Sequence, residues 1–334
     1  MCVSLLILGI PIGGVMAFNY YIDPLWTFDH QNDFNDYQRG FDERVQKTNW
    51  INAQSAFNYD GLMIGTSRTT YINSDNFEKP LFNYGLSNLH ISEYTKYLQY
   101  AKDKNEKPFE KVYVELTITS YDSINKSKYS STEDIFSNAE DPFHKYVSLF
   151  SNETFQHAQL NYEMSKEDHS TLPRVYDRDL QVSTTFPSKD IDKRIITFKR
   201  LLASRDKSKP NWMEYEKNYV AYLQEIKDLF PESTIVPFTD LILADRLQIY
   251  INHPQVTAAY KRYITDIVEV FGAVYSFHQY NPVTTTRENF FDLYHFYPHI
   301  GDMVATSLQQ GVSDDIMIVV TADNIDAYFE SLGI

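Results

Sequence analysis

Short apolar runs that alternate with helical patterns constrain the fold of this chain most strongly. GLMIG at 61–65 is a continuous apolar run that ends in glycine, and LFNYGLS at 81–87 is a second one. A helical pattern at 90–104 and a strand pattern with β-branched residues at 111–118 follow. Continuous runs of this length are typical of buried parallel strands. Strand, helix and strand in succession therefore predict an α/β fold with a parallel sheet and crossover helices.

The same alternation resumes in the second half of the chain. Helical patterns occur at 189–204, 211–229, 239–249, 254–270, 298–310 and 322–332. Strand patterns occur at 233–238 and 273–278, and we expect the latter to be the last strand of the core. The C-terminal tail carries a further short strand pattern, IMIVV at 316–320. Residues 121–190 break the rhythm because they are rich in Ser, Asp, Asn and Lys. They predict an insertion, helical around 141–163 and a loop at 165–190.

The N-terminal segment carries no charged side chain from Met1 to Ile22. About 20 apolar residues span the hydrocarbon core of a bilayer as a helix, and the aromatic residues Tyr20, Tyr21 and Trp26 follow as in an interfacial belt. The sequence predicts a single-pass membrane anchor over 1–22, a membrane-proximal connector over 23–57 and a domain over 58–334. We expect that domain to lie outside the cytoplasm; a buried N-terminal core helix is the alternative.

Composition restricts the possible partners. The net charge is −15, and so acidic a surface repels phosphate backbones, which argues against nucleic acid as a partner. Cys2 is the single cysteine, so no intramolecular disulfide forms. Aromatic residues make up 15% of the chain, which fits either a large domain with aromatic surfaces or a groove that stacks on sugars.

A candidate nucleophile follows the first predicted strand, in Gly65-Thr66-Ser67-Arg68. Sites in open α/β sheets lie at the carboxyl ends of the strands. A serine that begins a helix there exposes its hydroxyl, its own N–H can stabilise an oxyanion, and Gly65 permits a sharp turn. The alternative is a serine that only caps a helix. Arg68 is a candidate for binding an anionic substrate group, or it pairs with a nearby carboxylate.

A candidate acid and base lie near the C-terminus in the run Asp292-Leu-Tyr-His295. Side chains three residues apart fall on one side of a turn, so the carboxylate can orient an imidazole that acts as general base. A purely structural Asp–His hydrogen bond is one alternative. A metal site formed by Asp292, His295 and His299 is another. Gly85, after the second strand, offers a backbone N–H to an oxyanion or is a turn glycine.

Taken together, these motifs resemble the SGNH (GDSL-type) hydrolase superfamily. GTSR matches the family's G-x-S nucleophile motif at Ser67, Gly85 matches its second-block glycine, and Asp292 and His295 match its late D-x-x-H motif. The resemblance covers about residues 58–311, with the insertion outside it. It implies a flavodoxin-like three-layer α/β/α sheet and an esterase or acyltransferase with a Ser67, His295 and Asp292 triad, without metal or cofactor.

A membrane-anchored subgroup of this superfamily is the most similar. It carries an N-terminal apolar helix followed by N-Y-x-x-D-P, which here occupies residues 19–24. The resemblance implies action on acyl groups, expected to be acetyl, of cell-envelope polysaccharides, as in proteins of teichoic acid D-alanylation and alginate acetylation. It also implies a multi-spanning membrane acyltransferase as a possible partner.

The third family block departs from the pattern. The family places the Asn of a G-x-N-D motif there as an oxyanion donor, whereas this chain has ELTITSYD at 115–122. Asn88 or a backbone N–H is the expected substitute, beside the N–H groups of Ser67 and Gly85. Loss of a donor costs about a hundredfold or more in rate. A non-catalytic, anchored glycan-binding or assembly protein on a degenerate hydrolase fold is therefore the second functional hypothesis.

Overall fold

The computed structural model describes residues 2–120, 131–167, 172–208 and 216–334, which form two compact units. The first unit contains Met1–Asn58 and Tyr129–Thr185, and the second contains Tyr59–Lys128 and Phe186–Ile334. The α-helices in the described ranges are α1 (Cys2–Ile22), α2 (Glu43–Ala53), α3 (Ile91–Lys104), α4 (Thr132–Glu140), α5 (His144–Ser148), α6 (Asn152–Met164), α7 (Ile191–Ser208), α8 (Tyr219–Leu229), α9 (Ala244–Ile251), α10 (Pro254–Phe271), α11 (Pro282–Thr285), α12 (Pro298–Gln310) and α13 (Ile325–Ser331). The strands are β1 (Tyr37–Gln38), β2 (Gly61–Gly65), β3 (Leu81–Gly85), β4 (Lys111–Leu116), β5 (Arg174–Asp177), β6 (Val182–Thr184), β7 (Thr234–Thr239), β8 (Ala273–Ser276) and β9 (Ile318–Thr321).

The second unit contains a six-stranded sheet in the order β3-β2-β4-β7-β8-β9. Neighbouring strands are parallel from β3 to β8, and β9 is antiparallel to β8. Numbered along this unit, the first five strands follow the order 2-1-3-4-5, which is that of flavodoxin-like folds. The predicted α/β class with a mostly parallel sheet is therefore confirmed.

The central strands are buried on both faces, as their sequences predict. Every residue of β2 and β3 is buried, and in β4 only Lys111 is exposed. Helix α3 packs against β2, and α10 packs against β7 and β8. Because both faces of a parallel sheet are covered by its crossover helices, its strands are continuous apolar runs and do not alternate.

The edge of the sheet differs from the expectation. The strand at 273–278 was predicted to be the last of the core, but β9 adds to its far side, with Ser276 opposite Ile318. A short apolar run near the C-terminus does not itself indicate which edge it joins, because antiparallel addition leaves no periodicity that distinguishes it.

The predicted connector and most of the predicted insertion form the first unit together. Strand β1 of the connector pairs with β5 of the insertion, and β5 pairs with β6, in an antiparallel sheet. The interpretation of 165–190 as a loop is wrong for these two strands, since their four- and three-residue lengths are too short for a visible alternation. Residues 121–130 and 168–171 of the insertion lie outside the described residues.

The polar residues of N-Y-x-x-D-P have structural partners inside the first unit. Asn19 donates to the Leu149 carbonyl at 2.9 Å. The Asp23 carboxylate accepts from the backbone N–H groups of Thr27 and Phe28 at 2.8 and 3.1 Å and from Arg178 at 3.2 Å. Burial raises the pKa of Asp23, and these donors oppose that shift. The motif thus fixes the chain where it leaves α1.

The predicted anchor over 1–22 coincides with α1, whose side chains are described only from Pro11 onwards. Within the part of the chain that the structure describes, we find no helix with the length and apolar character needed to cross a membrane.

Candidate active site

The candidate nucleophile lies directly after β2, between β3 and β4, where the strand order reverses. Crevices at such reversals are where open α/β sheets bind their ligands. The expected α-helix does not begin at Ser67, because only a short 3-10 helix, Thr69–Tyr71, follows it. A helix macrodipole therefore contributes little here, and the Ser67 N–H is the donor that the backbone offers. No described residue accepts a hydrogen bond from that N–H.

Gly65 is required by packing, because the backbone turns after β2 without a left-handed conformation at this residue. A Cβ at Gly65 would lie 2.0 Å from Thr69 Oγ1 and 2.6 Å from Glu115 Cβ, and its φ is not in the left-handed region. The missing side chain lets the carboxylate of Glu115 reach the turn. Thr66 donates to Glu115 Oε2 through both its N–H and its hydroxyl, at 2.6 and 2.7 Å.

Arg68 belongs to a buried ion cluster beneath the nucleophile. Its Nη1 lies 3.0 Å from Asp240 Oδ2, its Nε lies 3.7 Å from Glu115 Oε1, and the residue is 6% exposed. Burial opposes the charged form of Arg68, but the two carboxylates outweigh it and raise the pKa. This geometry agrees with the alternative expectation for Arg68, pairing with a carboxylate. Glu115 lies in β4, and Asp240 directly follows β7. Two neighbouring strands therefore fix the turn that carries Ser67.

Ser67, His295 and Asp292 lie in one hydrogen-bonded row. Ser67 Oγ is 2.8 Å from His295 Nε2, and His295 Nδ1 is 3.1 Å from both carboxylate oxygens of Asp292. With Nδ1–H donating to Asp292, the lone pair of Nε2 faces the serine hydroxyl. The structure therefore brings together the three residues that the sequence proposed, across 228 positions of the chain.

Backbone donors hold the Asp292 carboxylate in its ionised form. Its Oδ1 accepts from the N–H groups of Tyr294 and His295 at 2.7 and 2.9 Å. Burial alone would raise the pKa of Asp292, but the hydrogen bond and charge of His295, with these two N–H groups, lower it to about 2. A carboxylate that stays ionised at neutral pH can orient the imidazole and stabilise its cation.

The loop that carries Asp292 and His295 is closed by backbone pairing. Phe290 and Phe296 form an isolated antiparallel bridge, and the Phe291 N–H donates to the His295 carbonyl at 3.1 Å. The Phe291 ring stacks on the imidazole at a centroid distance of 5.4 Å and an interplanar angle of 3°. The imidazole is thus fixed on one face as well as through Nδ1.

Of the three predicted oxyanion donors, Ser67 and Asn88 line the cavity, whereas the N–H of Gly85 already has an acceptor. The Gly85 N–H donates to Asn83 Oδ1 at 2.8 Å, so it is already occupied and the prediction for Gly85 is wrong. A Cβ at Gly85 would lie 3.1 Å from the Thr70 backbone nitrogen, which gives this glycine a packing role. Asn88 adopts φ 54° and lines the same cavity as Ser67. Ser67 N–H and Asn88 remain the candidate donors.

A cavity of about 280 Å³ opens on the serine and imidazole. Asn88, Thr119, Tyr294 and Arg246 are among the residues that line it. Sequence reasoning did not select Arg246 or Tyr294, because no motif links residue 246 on α9 to the 292–295 loop. Glu115 and Asp122 are the first and last residues of the run ELTITSYD in the third block, and Asp122 lies outside the described residues.

The alternative metal site receives no structural support. His299 is exposed, and its ring stacks against Tyr297 at a centroid distance of 6.1 Å. Across the ranges that the structure describes, no group of three or more His, Cys, Asp or Glu side chains is arranged to hold a metal ion.

The chain matches no known protein family, and no curated protein matches it either.

Proposed function

We propose that this chain is a serine esterase or O-acyltransferase of the SGNH type, with Ser67 as nucleophile, His295 as general base and Asp292 as the orienting acid. The observation that carries the proposal is the 2.8 Å contact of Ser67 Oγ with His295 Nε2, continued to Asp292 at 3.1 Å. A purely structural Asp–His pair does not need a serine hydroxyl at its other nitrogen. The row also opens on a cavity and is not sealed in the core.

The proposed reaction has two steps. His295 Nε2 takes the proton of Ser67 while Oγ bonds to the ester carbonyl carbon, and the carbonyl oxygen becomes an oxyanion beside the Ser67 N–H. The bond from carbon to the alcohol oxygen then breaks, and His295 returns its proton to that oxygen. In the second step water or a sugar hydroxyl attacks the acyl-serine through the same proton transfers. Water gives hydrolysis, and the sugar hydroxyl gives transfer.

The substrate class rests on the sequence resemblance. Acyl esters of a cell-envelope polysaccharide, with acetyl as the expected group, follow from the similarity to envelope acyltransferases. The uncharged segment over residues 1–22 supports attachment to the cell membrane with the second unit outside the cytoplasm. A multi-spanning membrane acyltransferase is a proposed partner on the same ground.

An esterase assay with 4-nitrophenyl acetate tests the proposal. We expect Ser67→Ala to reduce kcat/KM to background, a loss of at least about a thousandfold. Ser137→Ala is the matched control, because Ser137 is exposed on α4 and only donates to the Asp134 carbonyl. Full activity of Ser67→Ala would refute the assignment. Inactivity of the wild-type chain on every ester tried would favour the glycan-binding hypothesis.

A further inference from the structure

Arg246 is a buried cation in the cavity wall that makes no close ion pair with a described carboxylate, although its charge acts at longer range on Asp240. The residue is 1% exposed and lines the same cavity as Ser67 and His295. Its Nη2 donates to the Tyr250 hydroxyl at 2.8 Å. Its Nε and Nη1 have no hydrogen-bond partner among the described residues, and no carboxylate there lies within 4.0 Å of the guanidinium. The other cavity arginine, Arg68, has two carboxylates.

Aromatic rings fix the position of this guanidinium. Its central carbon lies 3.4 Å from the ring centroid of Tyr294, 5.1 Å from that of Tyr250 and 5.6 Å from that of Phe198. Stacking on an aromatic face stabilises a guanidinium and leaves its N–H groups, which point outward in the plane, for other partners. The side chain is therefore held in place, but its donors are not all used.

Leaving these donors unused costs free energy. A buried polar group without a partner is rare in native proteins, and the cost is larger for a charged group. Ring contacts offset only part of that cost, since a cation–π contact contributes roughly 0.5–2 kcal/mol. An anion placed against Nε and Nη1 would supply the missing hydrogen bonds and a counter-charge in direct contact, with the strength of charge-assisted bonds.

We propose that Arg246 binds an anionic group of the substrate, so that the site takes esters carried on an anionic molecule. That the bound molecule reacts as an ester rests on the proposed function, whereas the binding of an anion by Arg246 does not. Its ligand chemistry is a carboxylate or a phosphate, the two groups that fit guanidinium donors. The cavity of about 280 Å³ is at the small end of ligand sites, so the anion and the ester lie on the same or adjacent units of the substrate.

Tyr294 links this subsite to the reaction centre. Its ring covers the guanidinium, its backbone N–H holds Asp292, and it directly precedes His295. Nε and Nη1 are buried, so an anion that binds them requires side chains around the guanidinium to move. The subsite therefore shares Tyr294 with the loop that carries His295.

A matched pair of acetyl esters tests the subsite. 4-Acetoxybenzoate and 4-acetoxybenzamide carry the same acetyl group and differ in one negative charge, and 4-acetoxyphenyl phosphate replaces the carboxylate by phosphate. We expect the wild type to prefer one or both anionic esters over the amide by about 10- to 100-fold in kcat/KM. Arg246→Gln should remove that preference by lowering activity on the anionic esters, and Arg246→Lys should restore part of it.

The controls separate this inference from the proposed function. Arg262→Gln removes an exposed arginine on α10 and should leave the preference unchanged. A preference that survives in Arg246→Gln, or a wild type without any preference, overturns the subsite. If the wild type hydrolyses none of the esters, the proposed function fails. Calorimetric measurement of the binding of benzoate and inorganic phosphate then tests the Arg246 subsite alone. Binding lost in Arg246→Gln supports the subsite; binding equal in both proteins, or absent in both, overturns it.

Discussion

At the residue scale, the glycine before the nucleophile is a packing device. Gly65 leaves the space into which Glu115 and Thr69 extend, and the Glu115 carboxylate then holds both donors of Thr66. The position of the Ser67 hydroxyl therefore depends on the absence of a side chain two residues earlier in the chain. The glycine of the G-x-S motif thus has a packing function. It allows the Glu115 carboxylate to reach the end of β2.

Gly65→Ala should destabilise the chain and reduce esterase activity together. A Cβ that meets Thr69 Oγ1 at 2.0 Å forces the turn to shift, and overpacking of this kind costs about 1–3 kcal/mol. Gly61→Ala is the control at the other end of β2, where a Cβ meets only the flexible Leu81 side chain, at 3.1 Å. Urea denaturation measures the free energy of unfolding. Equal effects of the two substitutions would contradict this account.

Asp292→Asn should lower kcat by about ten thousandfold while the protein stays folded, as expected when an imidazole loses the acid that orients it. Since the pKa of Asp292 is lowered to about 2, the wild-type carboxylate is ionised throughout the neutral range. The loss should therefore be nearly constant across that range. Asp302→Asn, on α12, is the control. A loss below about tenfold would show that Asp292 does not orient a catalytic imidazole.

At the element scale, the ends of three parallel strands hold the nucleophile turn. Ser67 follows β2, Glu115 lies near the end of β4, and Asp240 follows β7. Burial raises the pKa of Glu115 although Arg68 opposes it, whereas the charges of Arg68 and His278 outweigh burial and lower the pKa of Asp240. One arginine thus joins two acids that are far apart in sequence and adjacent only because the strands are neighbours.

Glu115→Ala should cost about 3–5 kcal/mol of unfolding free energy, because it leaves both buried donors of Thr66 without their acceptor and removes one of the two counter-ions of buried Arg68. Glu110→Ala is the matched control. Glu110 pairs with Lys79 at the surface, where the two side chains are 55% and 63% exposed, so its loss should cost no more than about 1 kcal/mol. Thermal or urea unfolding of both variants measures the difference. A smaller effect for Glu115 than for Glu110 would be incompatible with the ion cluster.

The sequence predicts those features that depend on residues close to one another in the chain. The length and composition of three runs predict buried strands, at 61–65, 81–85 and 111–116. The spacing of Asp292 and His295 predicts that their side chains pair. The occupied N–H of Gly85 was not predictable, because its acceptor, Asn83, is a polar side chain inside a strand. Arg246 was missed because its importance lies in what surrounds it, three aromatic rings from different segments.

At the scale of the whole molecule, the two units have different interiors. The second unit has an apolar sheet core, and its buried charges include Glu115 and Asp240 at the strand ends and Arg246 on α9. The first unit buries charged side chains outside any parallel sheet, among them Glu43, Arg44 and Lys47. Arg174 donates to Glu43 at 2.7 Å, and the Lys47 nitrogen lies 5.6 Å from the Tyr176 ring centroid. Motifs predicted this unit least well, because connector and insertion become one fold through long-range contacts, such as the pairing of β1 with β5 and the packing of α2 on α4.

Stability should rise with pH above neutrality because of Lys47. Burial lowers its pKa to about 7, with Glu43 opposing and Arg174 adding to the shift. The unfolded chain binds a proton at Lys47 below its ordinary value of 10.5, whereas the folded chain does so only below about 7. Stability is therefore lost as pH falls through this interval and is constant below it, a difference on the order of 5 kcal/mol.

Lys47→Met removes this dependence. The unfolding free energy of the wild type minus that of the variant should increase between about pH 7 and about pH 10. Lys102→Met, at an exposed position on α3, is the control and should give a flat difference. Urea denaturation at several pH values provides the measurement. A flat difference for Lys47→Met would show that the lysine is charged in the folded protein.

The central claim is that Ser67 is a nucleophile activated by His295, and covalent labelling tests it most directly. The protein is treated with a fluorophosphonate, and the modified peptide is identified by mass spectrometry. We predict one adduct, on Ser67, that is absent in His295→Ala although Ser67 is still present. An unlabelled wild-type protein, or equal labelling of Ser67 with and without His295, would contradict the account.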